Sequence, residues 1–151
     1  MSETIEKSVT VNCSAEHAFN EFVNRIGGWW PLASHAVSAA DGKAALDATI
    51  EPKIGGDVYE TKHDGSRSKW GTVLEYDPFS KFAMSWHPGT NANKPTRVDV
   101  EFVTVDDATH VTLTHTGWEI WGEKSAAKIK GYSAGWDLIL GELYAAACAS
   151  T

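Results

Sequence analysis

The chain is poor in cysteine and methionine, and it contains no long apolar run. Of its 151 residues only two are cysteine, Cys13 and Cys148, placed near opposite ends. They form no C-x-x-C pair, and no further cysteine is present to complete a thiolate zinc cluster. In a reducing compartment they are expected to be two free buried thiols. No segment approaches the roughly 18 apolar residues of a membrane span. The opening "MSETIEKSVTV" lacks the basic-then-apolar layout of a signal peptide, so a soluble cytoplasmic protein is expected. Positive charge is also scarce: 13 Lys and Arg against 20 Asp and Glu give a net charge of -7. The basic residues are scattered singly. Lys128 and Lys130, the nearest thing to a cluster, suit the wet side of a helix. Such a surface repels polyanions, which argues against nucleic acid as a partner.

Metal and phosphate signatures are missing as well. The six histidines (His17, His35, His63, His87, His110, His115) include no i, i+4 pair, and no H-E-x-x-H occurs. Neither a metal nor a cofactor is expected. Gly55-Gly56 stands between two strand patterns and is not followed by a helix, which rules out a phosphate loop opening a helix. What the chain does have is tryptophan, seven in all. That is more large rings than a core of this size ordinarily needs. Some are expected to line a cavity, with plain core filling as the alternative.

The chain reads as one domain, residues 1–151, with no repeat and no linker. "TIEKSVTVN" alternates with Ile5, Lys7, Val9 and Val11 on one side. Ser14 is a helix N-cap before the stripe Ala18, Phe19, Phe22, Val23 and Ile26. Gly27-Gly28 ends that helix, and "WWPLASHAVSAADGKA" has no period. Six strand patterns follow. Leu46, Ala48 and Ile50 share a face. "DVYETK" leads into a segment with Trp70, Thr72, Leu74 and Tyr76 opposite Gly71, Val73 and Glu75. Phe82, Met84 and Trp86 come next, then Val98, Val100 and Phe102, then Val111, Leu113 and His115. Glu75, Asp99 and Glu101 fall on the opposite, solvated faces. Glu51 and Glu60 border the glycine turn and are ambiguous. Ile129, Tyr132, Trp136, Leu140, Leu143 and Ala147 then recur at helical spacing. Strand, helix, six strands and a long helix make an α+β protein whose antiparallel sheet wraps the C-terminal helix.

"GYSAG", Gly131 to Gly135, matches the G-x-S-x-G string of esterases. A nucleophile elbow requires a strand turning sharply into a helix. Here the helical stripe already runs through Ile129, and no histidine follows Ser133. Ser133 is therefore a small helical residue and no catalytic residue is assigned. The helical glycines Gly131, Gly135 and Gly141 each cost about 1 kcal/mol relative to alanine. They reflect close approach of helix to sheet or room left for a ligand. His115, on the apolar face of Val111 and Leu113, points to the interior as a hydrogen-bonded core group or a polar contact in a pocket. With the sheet curled round the helix, Trp70, Met84, Trp86, Tyr132 and Trp136 converge. Trp29, Trp30 and Trp118 lie in irregular segments able to close the ends. Apolar walls with a few polar groups describe a small-molecule pocket, and equally a core.

The strings "VTVNCSAEHAFNEFV", "EPKIGGDVYE", "WGTVLEYDPFSKFAMSW", "THTGWE" and "GYSAGWDLILGEL", in this order and spacing, resemble the START-like (SRPBCC, Bet v 1-like) helix-grip superfamily across essentially the whole chain. Within it they are most similar to the branch named after the activator of the ninety-kilodalton heat-shock chaperone's ATPase. The resemblance implies a sheet of about seven strands gripping the last helix, with a cavity between them for a hydrophobic or aromatic small molecule. It places Trp70, Met84, Trp86, Val100, His115, Tyr132, Trp136 and Leu140 around that cavity, with Trp29 and Trp30 near its mouth. It carries no shared catalytic set, and fold alone does not give function. The eponymous activators have a separate N-terminal domain for which this length leaves no room, so chaperone activation is not expected. Three readings follow: a ligand-binding protein; a cyclase or hydrolase of aromatic or polyketide-like substrates with His115 as acid or base; and a protein-interaction module. Monomer and homodimer stay equally open.

Overall fold

The computed structural model of the chain describes residues 4–89 and 93–149. Strand β1 (Ile5–Val11) is followed by helix α1 (Ala15–Asn24). Six strands come next: β2 (Asp47–Ile50), β3 (Asp57–Thr61), β4 (Arg67–Asp77), β5 (Lys81–Trp86), β6 (Thr96–Val105) and β7 (Ala108–Thr116). They form one antiparallel sheet in the order β1-β7-β6-β5-β4-β3-β2, so hairpins build it stepwise and the first strand returns to pair with the last. A 3-10 turn, Trp118–Lys124, leads into helix α2 (Ser125–Leu138), a π-helical segment (Ile139–Tyr144) and helix α3 (Ala145–Ala149). This is the α+β architecture that the alternating and helical periods imply, in the helix-grip arrangement that the family resemblance implies.

Local chemistry accounts for the elements that carry the core. The Ser14 side chain caps α1 by accepting from the His17 backbone N–H at 3.1 Å. The helix buries Ala18, Phe19, Phe22 and Val23 against the sheet, with Phe19 edge-on to Phe102 at 5.2 Å. Apolar partners meet across the ladders, Phe82 opposite Val100 and Val100 opposite Leu113. All three are fully buried, each contributing about 1.5–3 kcal/mol of transfer free energy. On the other face Arg97 pairs with Asp99 and Glu75, and Lys81 approaches both acids. Partly exposed pairs of this kind add little to stability.

Strict alternation fails in β4. Pairing with β3 jumps from Val58↔Gly71 to Tyr59↔Lys69, which leaves Trp70 as the extra residue of a bulge. Pairing with β5 jumps from Val73↔Met84 to Glu75↔Ala83, which leaves Leu74. Each bulge changes the parity of the strand. As a result Trp70 and Val73 both face inward, and Leu74, expected on the face of Trp70, is 39% exposed. Gly71 lies between the two bulges, where a Cβ would fall 1.7 Å from the Ser85 carbonyl oxygen. Only glycine permits so close an approach of the strands. Leu46 also departs from expectation: it precedes β2 and is exposed.

The C-terminal stripe shifts too. Helical spacing predicts Leu140, Leu143 and Ala147 in line, but the buried residues are Ile139, Leu140, Tyr144 and Cys148. The π-helical segment inserts the phase difference, since its wider turn advances the inward face by a residue. Tyr144 thereby reaches α1, where its hydroxyl donates to the Ala18 carbonyl at 2.6 Å and its ring meets Phe22 at 5.4 Å. No disulfide joins Cys13 and Cys148. Burial pushes the Cys148 thiol up to about 12. Among the described residues no helix is long and apolar enough to cross a membrane.

The bulges make a direct prediction about neighbouring residues. Val73→Ala should cost about 2 kcal/mol in urea denaturation, whereas Leu74→Ala should cost less than about 0.5 kcal/mol. The reverse order would contradict the register.

Candidate functional site

The segment without sequence period, residues 29–44, is held in place by buried groups. Trp30 Nε1 donates to the His35 carbonyl at 2.7 Å, and the Ser34 and His35 N–H groups donate to the Pro31 carbonyl. Two residues on, a short 3-10 helix (Val37–Asp41) begins, and its first N–H groups point at a carboxylate. Glu60 of β3 accepts from Val37 N at 2.6 Å, from Ser38 N at 3.1 Å and from Trp70 Nε1 at 2.8 Å. Glu60 is fully buried. Three N–H donors converge on it because the β4 bulge turns Trp70 inward, and a buried charge persists only with such partners.

The rings form one continuous set. Trp30 lies 5.0 Å from Trp70 and 5.8 Å from both Trp86 and Trp136. Trp86 is 5.6 Å from Trp136 and 6.5 Å from Tyr132. Trp121 stands outside this set, capped by Lys128 Nζ at 4.2 Å from its ring centre.

His115 sits deep in this aromatic interior with both ring nitrogens occupied. Trp136 Nε1 donates to Nδ1 at 3.0 Å. An indole nitrogen only donates, so Nδ1 carries no proton and Nε2 does. Nε2 then donates to Thr96 Oγ1 at 2.7 Å, and Thr96 Oγ1 donates to the Trp86 carbonyl at 3.2 Å. Burial drives the imidazole down to about 3. His115 is thus a neutral strut between α2, β7, β6 and β5.

Beside these rings lies a cavity of about 490 Å³, within the range typical of small-molecule pockets. The helix contributes Gly131, Tyr132, Gly135 and Trp136; the pinned segment contributes Trp30, His35 and Val37; the end of β5 contributes Trp86, followed by Pro88. A Cβ on Gly131 would meet nothing within 4 Å, and one on Gly135 only the His35 ring at 3.7 Å. The helical glycines therefore leave space, where close packing on the sheet was the other expectation. Trp86 Nε1 is buried and, among the described residues, makes no well-formed hydrogen bond, its polar neighbour being the Tyr132 hydroxyl. Burial raises the neighbouring Tyr132 phenol, with the Trp86 N–H acting in the opposite direction. Although the chain is strongly acidic, no Asp or Glu among the described residues reaches the cavity wall.

Of the site residues expected from the sequence, Trp30, Trp86, Tyr132 and Trp136 line this cavity together. Trp70, Met84, Val100, His115 and Leu140 lie behind it, fully buried. Trp29 turns toward α1 and donates to the Glu21 carbonyl at 2.8 Å. Trp118 is buried with its ring tilted against His115 at 4.3 Å and against Tyr132 at 5.5 Å. Sequence pattern missed Ser34, His35 and Val37, since an aperiodic segment gives no face to read. It also passed over Lys128, which looked like a wet helix residue. Ser133 lies within α2, with no elbow before it.

A curled antiparallel sheet closed by a C-terminal helix defines a helix-grip protein; the aromatic cavity, expected between sheet and helix, lies instead between α2, the segment from Trp30 to Ala40 and the end of β5. The chain belongs to the family described as activator of Hsp90 ATPase homolog 1-like protein, whose model matches residues 14–147. It is similar to an anthrahydroquino-gamma-pyrone synthase, Txn09, solved in a complex: 30% identity, 86% of each chain covered, TM-score 0.59. It is also similar in fold to protein MLL2253 of Mesorhizobium loti, at 13% identity over 94% of each chain with TM-score 0.69. The Aha1 dimer of Colwellia psychrerythraea matches at 15% identity over 93% of this chain and 98% of that one, with TM-score 0.60. No curated protein matches the chain.

Two outcomes are expected from these geometries. Glu60→Ala strands three donors and should cost about 3 kcal/mol in urea denaturation, with faster amide exchange at Val37 and Ser38. His115 predicts acid sensitivity. The unfolded imidazole binds a proton near 6.5, the folded one only near 3. Stability is therefore full above about 6.5 and is lost as pH falls through that window, by an amount on the order of a few kcal/mol. Burial lowers His87 in the same sense. In His115→Gln the plot of urea midpoint against pH should be flatter on its acid side, even if the variant is weaker at every pH.

Proposed function

We propose that the protein binds a planar, largely hydrophobic aromatic molecule in this cavity, with an acceptor oxygen of that molecule set against Trp86 Nε1. The observation that carries the reading is an open space walled by aromatic rings and bare helical glycines, with the Trp86 N–H buried just behind that wall beside the Tyr132 phenol. A poorly met buried donor costs up to about 1–3 kcal/mol, and a carbonyl oxygen arriving with the ligand would complete the pairing of this N–H and of the phenol beside it. The surrounding rings offer flat faces suited to offset stacking, and the helical glycines supply room. The similarity to a synthase whose name carries an anthrahydroquino-pyrone supports the same chemical class. An interaction module acting through its surface gains nothing from such a cavity. An enzyme using His115 as acid or base is disfavoured, because both nitrogens are already committed inside the core.

Two variants test the reading by calorimetric titration with 9,10-anthraquinone and with anthracene. Gly131→Leu fills the space without touching the core. It should keep or raise the thermal midpoint, since glycine is the poorer helix former, and it should abolish binding of both compounds. Trp86→Phe removes the donor together with one ring of the indole, so its effect on the quinone is read against its effect on anthracene. It should weaken the quinone about tenfold while changing anthracene less than about threefold. If Gly131→Leu bound both compounds as tightly as the original chain, the cavity would not be the site.

A further inference from the structure

His35 is exposed, as surface histidines commonly are, yet its surroundings are those of a positioned group. Its carbonyl is held by Trp30 Nε1, its N–H by the Pro31 carbonyl, and the backbone two and three residues later by the Glu60 carboxylate. Three buried side chains, Trp30, Glu60 and Trp70, thus fix a stretch of chain that carries no buried apolar stripe of its own. The ring is fixed as well. Nδ1 lies 2.7 Å from Ser34 Oγ, and the edge bearing Cδ2 and Nε2 lies over the bare backbone of Gly135. That leaves Nε2 as the ring nitrogen without a protein hydrogen bond among the described residues, in the wall of the cavity. Immobilising a solvent-facing side chain through buried second neighbours is costly, and it is how proton-transfer groups are positioned.

We infer that His35 is the acid–base residue of the cavity, exchanging a proton with a phenolic or enolic hydroxyl of the bound aromatic molecule. The inference rests on the binding reading above and gives that site a reactive group. With the Ser34 hydroxyl accepting from Nδ1–H, Nε2 presents its lone pair. The ligand O–H bond breaks as the Nε2–H bond forms, giving an imidazolium and a phenolate or enolate, and the electron pair stays on the ligand oxygen. No other reactant is needed. The remaining charged and titratable side chains of the wall are Lys128 and Tyr132. A cationic Lys128 at the rim favours the anion, and no carboxylate among the described wall residues opposes it. A phenolate or enolate is the nucleophilic form of an aromatic or polyketide-like molecule, so ring closure or tautomerisation are the reaction classes such a step serves.

The test uses 2-hydroxyanthraquinone, whose visible absorption separates its phenol from its phenolate, at a pH about one unit below its own midpoint. Tryptophan quenching reports occupancy independently of ionisation. At saturation the full chain should show about tenfold more phenolate than the free dye. Calorimetry in two buffers of different ionisation enthalpy should show no net proton released, because Nε2 keeps it. His35→Gln, compared at its own saturation, should return the bound dye to the phenol form, and Ser34→Ala should lower the phenolate fraction. Quenching without a phenolate band overturns the role of His35 and leaves the binding reading standing. So does a phenolate band accompanied by release of one proton to the buffer, or one that persists in His35→Gln, because the field of Lys128 alone would produce it. Absence of quenching overturns both.

Discussion

The Glu60 carboxylate is the constraint on which the rest of the structure depends. It is a buried charge on the second strand from the sheet edge, and its oxygens collect an indole N–H from β4 and two backbone N–H groups from a segment with no strand or α-helix of its own. Because a charge in that environment tolerates no vacancy among its donors, it dictates three placements together. Trp70 must turn inward, which requires the β4 bulge. The 3-10 helix must begin at Val37. The chain between Trp30 and Val37 must then arch across the gap to the C-terminal helix, and that arch is one wall of the cavity.

The opposite wall is set by the π-helical segment and the chain of hydrogen bonds through His115. The wide turn lets Tyr144 dock on α1 while Trp136, two turns earlier, donates into the sheet at His115. The helix is therefore tied at two depths, and between and above these ties it carries glycines in place of side chains. Space on that side follows from the sequence of the helix itself. Rigid attachment at both walls favours a preformed site, which lowers the ordering cost of binding.

Much of the fold is legible from periodicity. Val98, Val100 and Phe102 against Val111, Leu113 and His115 identify a hairpin with one buried face, and Ser14 marks the start of α1. The misreadings fall at irregularities that a period cannot encode. Leu74 and Val73 exchange faces because of bulges, and Leu143 yields to Tyr144 because of a wider helical turn. The site was half visible. Its rings stand out by composition, so Trp30, Trp86, Tyr132 and Trp136 are found. Composition does not separate wall from core, however, so Trp70, Met84, Val100, His115 and Leu140 were grouped with them. His35 and Glu60 depend on each other across 25 residues of chain, and neither sits in a repeating pattern. Glu60 could be marked only as ambiguous, and His35 only as one histidine of six.

The hydrogen bonds running from Trp136 through His115 and Thr96 to the Trp86 carbonyl have a fixed polarity. A proton wire must be able to reverse every bond along it, and an indole nitrogen has no lone pair with which to accept. The chain therefore conducts nothing. Although it passes directly behind the cavity, it works as an insulator, and the interior of the sheet neither supplies protons to a bound molecule nor drains them from it. A proton that a guest gains or loses is exchanged with groups of the wall itself or with solvent at the mouth, between the helix and the arch that bears His35.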